Sequence, residues 1–265
     1  MLIPDEGVQV IASAATVEGE GTVSDIVVEN LGASGVVAAK IDSHGADGET
    51  VEAWGPDAAQ EDMLQDLTTT TGNTGGPYTS CNDGLWSQSG AQRGRTYSWR
   101  YNEAVSYDGL FPGVRRGGDV LTNVVNDCGF NTARVDLTSS YLGTTTAGAN
   151  IYGNATCAPR DGQNTQNFGV LPSNVLGVAC RWTSSTGTPL EADIAYNSTK
   201  KWHAGQGACP AQHYRLNAVA AHEFGHVYAL GHAGTSNNLM RQSFSTCSKD
   251  ARVGYGDFIG LDYLY

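Results

Sequence analysis

Eleven residues, His222-Glu223-Phe224-Gly225-His226-Val227-Tyr228-Ala229-Leu230-Gly231-His232, constrain this 265-residue chain more than any other stretch. On an α-helix, residues four apart sit one turn from each other and roughly 40° out of line. His222 and His226 can therefore grip one point from adjacent turns, while Glu223 is rotated about 100° from His222 and flanks that point. His232, six residues beyond His226, supplies a third imidazole. Three imidazoles that leave a fourth position open are the donor set of a catalytic zinc ion, and a flanking carboxylate suits the general base for a metal-bound water. A bare His-Glu-x-x-His also arises on solvated surface helices, and the third histidine is what tips the reading to metal. The candidate ligands are His222, His226 and His232, with Glu223 as the candidate catalytic base.

The surrounding residues predict a helix. Leu216, Val219, Ala220, Val227 and Leu230 recur at helical period. Pro210 precedes this stretch and Gly231 stands at its end, as start and stop signals.

Together with Met240, in Asn238-Leu239-Met240, this segment resembles the metzincins. Those zinc peptidases carry His-Glu-x-x-His-x-x-Gly-x-x-His and a later methionine turn that forms an apolar floor under the metal. Taken alone, Met240 reads as core filler; next to the motif it reads as that turn. The wording His222-Glu223-Phe224-Gly225-His226 is similar to the matrixin, or matrix metalloproteinase, branch. Glu191-Ala192-Asp193-Ile194-Ala195-Tyr196-Asn197, followed by Trp202, resembles its sheet-edge strand, and Gly256 to Tyr265 its closing helix. The likeness spans roughly residues 81–265 and is nearest to small secreted bacterial matrixin-like proteases. It implies a secreted zinc metalloendopeptidase with a peptide or protein substrate laid extended along the strand near Ile194. It also implies a specificity pocket walled by residues 233–252, including Met240 and Phe244.

The chain departs from the family pattern at one turn. Ala229 stands where the family has glycine, at the point where the backbone leaves the helix toward the third ligand. Alanine in a left-handed conformation costs on the order of 1–2 kcal/mol. Gly231 is free to adopt positive φ and is expected to take over the turn.

Charge divides the chain. Residues 1–79 hold fourteen Asp and Glu against the single Lys40, a net −13, while residues 80–265 hold thirteen acids and fourteen Lys and Arg, a net +1. All six cysteines lie past residue 80, and residues 68–77 are polar and Gly-rich and end in proline, as a linker would. The predicted organisation is an acidic N-terminal segment over 1–79, a candidate pro-segment, and a catalytic domain over 80–265. Within the first segment, short strands are expected over 7–40 and a helix capped by Asp57 over 57–67. No Pro-Arg-Cys-Gly stretch occurs to block a metal with a thiolate. An aspartate could block it instead, with none singled out, and a disordered tail or unrelated module is an equal alternative. Cys81 is expected in a disulfide.

The acidic balance and the lack of a basic stripe exclude nucleic acid as a partner. No run of about 18 apolar residues suggests a membrane span. A monomer is expected. The six scattered cysteines, none in a Cys-x-x-Cys pair, indicate an oxidising compartment and up to three disulfides, with fifteen connectivities open. Together with the resemblance they imply secretion, although Met1 to Glu6 has no basic start followed by an apolar stretch. His44, His203 and His213 do not sit where the family's second, structural zinc would need them, so none is predicted. The oxygen-rich loop Asp161-Gly162-Gln163-Asn164 is a candidate calcium site, with an ordinary turn preferred.

The expected fold is α+β, a metzincin-type catalytic domain. Its sheet is twisted and mainly parallel with one antiparallel edge strand, and it carries an active-site helix and a C-terminal helix. Strands are expected over Tyr97–Tyr101, near Ala133–Leu137, Gly177–Trp182 and Ala192–Tyr196, with a helix over Asp119–Cys128. Two rival functions stand beside the peptidase: a catalytically inactive metal- or peptide-binding module, and a zinc hydrolase of a non-peptide amide. The intact Glu223 argues against the first, and the edge-strand resemblance against the second.

Overall fold

Tyr97, Trp99 and Tyr101 are buried, while Ser98 and Arg100 between them are half-buried, so the period-two pattern forms a strand in the heart of the molecule. The computed structural model describes the chain apart from residues 1–2, 22, 24, 44–48, 56–68, 71–78, 91–93, 105–108, 132–133, 206, 234–236 and 249. Its first strands are β1 (Val8–Val17), β2 (Asp25–Asn30), β3 (Val36–Ser43), β4 (Glu49–Trp54), β5 (Thr69–Thr70), β6 (Trp86–Ser87) and β7 (Thr96–Tyr101). Helix α1 (Phe111–Thr122) comes next, then β8 (Thr138–Thr144), β9 (Thr165–Gly169), β10 (Val175–Ser184), β11 (Pro189–Asn197), β12 (Trp202–His203) and β13 (Tyr214–Arg215). Helix α2 (Leu216–Val227), β14 (Ser243–Phe244) and helix α3 (Tyr255–Leu264) complete the described elements.

Strands β8, β7, β9 and β11 pair in parallel, and β10 joins β11 antiparallel. This is the expected α+β layout of residues 80–265, with three helices among the described residues. The margin strand is not the one the sequence suggested. Residues 189–197 form β11, inside the sheet between β10 and β9, and the antiparallel strand is β10. The error has a physical source: β10 is buried almost throughout, so it has none of the alternation of a half-open edge.

What buries β10 is the N-terminal segment. β1 runs antiparallel to β10 over Val8↔Ser184 to Thr16↔Val175, and β2, β3 and β4 extend the same sheet as an antiparallel meander. All ten residues of β1 are buried. Its two faces enter two cores: Ala15 and Val17 join the main core with α2, while Val8, Val10, Ala12 and Ala14 pack with Cys180 and Trp182 on the far face. The strands expected within 7–40 are found. The helix expected over 57–67 lies outside the described residues, as does the linker apart from Thr69 and Thr70.

Helix α1 begins earlier and ends earlier than the apolar residues 119–128 suggested. Pro112 sits in its first turn, where its missing N–H is harmless, and Val124, past the end, has φ 47°. The helix tolerates three glycines because α2 lies hard against them. A Cβ on Gly117 would fall 2.5 Å from the Ala220 methyl, and one on Gly118 would fall 3.0 Å from the Phe224 ring. The strand expected near 133–137 begins at Thr138.

Helix α2 is buried on every side, all twelve residues of it. α1 covers one flank, and Tyr97 and Trp99 of β7 meet the Phe224 ring edge-on at centroid distances of 5.6 and 5.8 Å. The three disulfides are Cys81–Cys128, Cys157–Cys180 and Cys209–Cys247. The second ties the loop before β9 to β10. Each removes loop entropy from the unfolded chain, typically 2–4 kcal/mol per bridge.

Candidate metal centre and cleft

Helical period brings His222 and His226 together, and their Nε2 atoms lie 2.9 Å apart. His232 Nε2 lies 3.2 Å from each. The third histidine reaches this point because the chain turns out of α2 at Ala229, which itself adopts φ 66°. Gly231 does not take over the turn. Its role is contact: a Cβ there would fall 2.3 Å from Ser87 Oγ. Segment 87–89 clamps the turn. Gly231 N donates to Ser87 O at 2.8 Å, Ser87 Oγ to His232 O at 2.9 Å, and Ser89 N to Ala229 O at 2.9 Å. We expect Ala229→Gly to raise stability by no more than about 1 kcal/mol, because relief of roughly 1–2 kcal/mol of backbone strain is offset by about 0.8 for the lost buried methyl. Chemical denaturation measures this, and a loss larger than about 1 kcal/mol would mean that the methyl's packing outweighs the strain.

The outer nitrogens fix the tautomers. His222 Nδ1 lies 3.0 Å from Leu239 O and His226 Nδ1 2.8 Å from Leu230 O, so each carries the proton on Nδ1 and leaves Nε2 as a lone pair. His232 Nδ1 lies 3.2 Å from Asp25 Oδ1, close enough to attract its proton although off the hydrogen-bond line. Burial first, then neighbouring charge, holds His222 and His226 well below the ordinary imidazole range. His222 and His226 thus aim two Nε2 lone pairs at one buried point that His232 Nε2 also faces, a cluster of nitrogens suited to a cation. Tetrahedral zinc with bonds of about 2.0–2.1 Å spaces its nitrogens roughly 3.3 Å apart, close to the spacing found. The three side chains fit the ion, and among the described residues they are the one group of His, Cys, Asp or Glu side chains placed to hold a metal.

Met240 lies beneath them. A Cβ on Gly225, between the two helical histidines, would fall 2.2 Å from the Met240 sulfur. The turn that carries Met240 is anchored by a residue that sequence reasoning missed, Asp257. Its buried carboxylate accepts from Leu239 N at 2.6 Å, Met240 N at 3.0 Å and Gly254 N at 2.7 Å. The spacing from Gly254 to Asp257, a capping-box pattern at the start of α3, is the signal that could have marked it.

Glu223 is fully buried, and burial followed by the nearby Asp25 charge pushes its carboxyl well above the usual range, while N–H donors from Ala15 and Ala179 act in the opposite direction. It needs Gly177 on β10, because a Cβ there would fall 2.7 Å from its Oε1. Asp25 and Ala15 also went unnoticed in the sequence. No local signal reveals them, since their partners lie more than 200 residues away.

The acids near the oxygen-rich loop face donors. Glu191 accepts from Asp161 N, Asn150 Nδ2 and Gly162 N, and Asp193 accepts from Asn150 N at 2.6 Å and Thr165 N at 2.7 Å. Burial pushes both carboxyls upward, Asp193 the more strongly.

A sheet of this order packed on a buried histidine helix is the architecture of a metzincin-type domain. Residues 171–265 match the sequence model of the matrixin family, and over that part the chain is similar to the matrixin-like metzincins. It is 37% identical over 84 residues to a 72 kDa type IV collagenase of Gallus gallus, 32% of this chain and 11% of that protein. It is 37% identical over 70 residues to matrix metalloproteinase-9 of Canis lupus familiaris, 26% of this chain and 9% of that protein. Against matrix metalloproteinase-25 of Homo sapiens the identity is 32% over 80 residues, 29% of this chain and 14% of that protein. The matched part thus spans about a tenth of the length of these relatives. No described helix is long and apolar enough to cross a membrane.

Proposed function

We propose that the chain is a zinc-dependent endopeptidase, with His222, His226 and His232 holding the metal, Glu223 as the base and Met240 as the floor of the site. The convergence of three imidazole Nε2 atoms beside a carboxylate that touches a peptide N–H carries this reading. Zinc, when bound, polarises the scissile carbonyl and makes a water acidic enough to lose its proton near neutral pH. The chain's own residues do the rest. Glu223 accepts that proton and delivers it to the departing amine nitrogen. Leu239 O, Leu230 O and Asp25 orient the imidazoles through Nδ1. With β1 displaced, the side of β10 that β1 covers would supply backbone groups to an extended peptide, a grip that tolerates sequence.

Hydrolysis of casein or gelatin, with and without a chelator, tests the reading. We expect cleavage that stops with chelator and returns with zinc. Zinc binding without any cleavage would favour the inactive binding module instead. A non-peptide amide substrate is disfavoured because the peptide group nearest Glu223 already lies in a strand ladder along β10.

The three disulfides support a secreted protein. Loop 161–164 reads better as a structural turn than as a calcium site, because the neighbouring carboxylates are occupied by N–H donors. We further propose that residues 80–265 carry the catalytic machinery and that residues 1–79 hold it latent. In support, β1 lies along β10, and Asp25, at the start of β2, stands against His232. This would replace a thiolate with a strand and a carboxylate.

A further inference from the structure

On the face of β1 and β10 turned away from α2, a cavity of about 270 Å³ opens between three segments. Its floor is Val8 and Val10 of β1 together with Trp182 of β10, which stands opposite Val10 in the strand pair. Residues 3–5 form one wall and residues 157–160 the other. Both walls are fastened. Asn30 Nδ2 donates to Pro4 O at 2.9 Å, and Val8 N donates to Asp5 O at 3.1 Å. On the other side Cys157 is bonded to Cys180, and Asp161 N, next to Arg160, donates to Glu191 at 3.2 Å. The volume lies just below the range usual for small-molecule sites.

Two polar groups meet this apolar space. Trp182 is 2% exposed, yet its indole N–H has no acceptor among the described residues and is not sealed in the core, so it reaches the cavity. A buried indole donor normally finds a partner. At the mouth stands Arg160, whose guanidinium carries five donors. Its one partner among the described residues is Asp5, at 3.5 Å. The Asp5 side chain is 76% exposed, so this pair is weak and readily exchanged. We propose that the cavity binds a small monocarboxylate with an apolar body. Its oxygens accept from Trp182 Nε1 and, in place of Asp5, from Arg160, while its body lies on Val8, Val10 and Pro159. A carboxylate fits because its charged oxygens can answer both donors at once. A purely apolar molecule would leave the indole unpaired. Because one wall comes from residues 3–5 and the other from residues 157–160, the ligand also ties the N-terminal segment to the rest of the chain and stabilises their pairing by linkage. This site lies beyond the peptidase reading and does not depend on it.

Phenylacetate is the probe, titrated into the full chain and followed by calorimetry and by the nuclear magnetic resonance signals of the indole protons. We expect a Kd of about 1 mM or tighter, ordinary for a ligand this small. The Trp182 indole proton, assigned by its loss in Trp182→Phe, should move downfield as it gains a charged acceptor. Trp182→Phe and Arg160→Gln should each weaken binding about tenfold or more, the usual effect of losing a hydrogen bond to a charged group. Arg160→Gln changes only the exposed mouth, so it tests the site even if Trp182→Phe fails to fold. Acetate, which lacks the apolar body, and phenylacetamide, which lacks the charge, should bind at least about tenfold more weakly. No binding by the wild type at about 10 mM overturns the proposal. So does an unmoved Trp182 signal, an Arg160→Gln chain that binds as tightly as the wild type, or equal binding of either control. Casein hydrolysis enters none of these measurements, so the peptidase reading stands or falls separately.

Discussion

Glu223→Gln is expected to retain the metal and lose casein hydrolysis by on the order of 10²–10⁴-fold, the usual contribution of a positioned general base. Among the described residues the three imidazoles are the group placed to hold a cation, and Glu223 points past them to the Ala15 N–H. Glutamine preserves the shape and can still accept that N–H, but it cannot take a proton from water. Zinc content measured by elemental analysis should therefore match wild type, while turnover disappears. Metal lost together with activity would mean that Glu223 supports the ligands instead of the reaction. Activity within a few-fold of wild type would remove it from the mechanism altogether.

Asp257→Ala is expected to cost about 3 kcal/mol or more, since a buried donor left without a partner costs roughly 1–3 kcal/mol and this carboxylate serves three backbone N–H groups. Two of them belong to Leu239 and Met240, so the loss should reach the metal site as well. Leu239 O holds His222 Nδ1, and Met240 sulfur packs on Gly225. We therefore expect weaker zinc binding together with a lower denaturation midpoint. Asp257→Asn keeps one acceptor oxygen and should lose less on both measures. A variant with wild-type zinc affinity despite its lowered stability would uncouple the turn from the site.

The histidine cluster was legible because its spacing is local. His222, Glu223 and His226 lie within one and a half turns of one helix, and helical period alone sets their relation. Met240 was legible only through resemblance, since an isolated methionine carries no such geometry. The strand identities were less legible. β10 and β11 both read as buried apolar runs, and which of them lies at the margin depends on pairings that periodicity does not encode. The turn at Ala229 shows the limit of propensity. Glycine at 231 was the better residue for positive φ, yet clamping by Ser87 and Ser89 forces alanine into it.

The sequence by itself determined a helix-spaced cluster of three histidines with a carboxylate beside it, and a cysteine-bearing part distinct in charge from the acidic segment before it. Tertiary structure decided where that acidic segment lies. It laid β1 along β10, put Ala15 on Glu223 and Asp25 on His232, and chose one of fifteen cysteine pairings. The physical reason is range. A helix relates residues a few positions apart through fixed geometry, whereas strand addition joins residues separated by more than 150 positions, and only the shared burial of both faces selects that register.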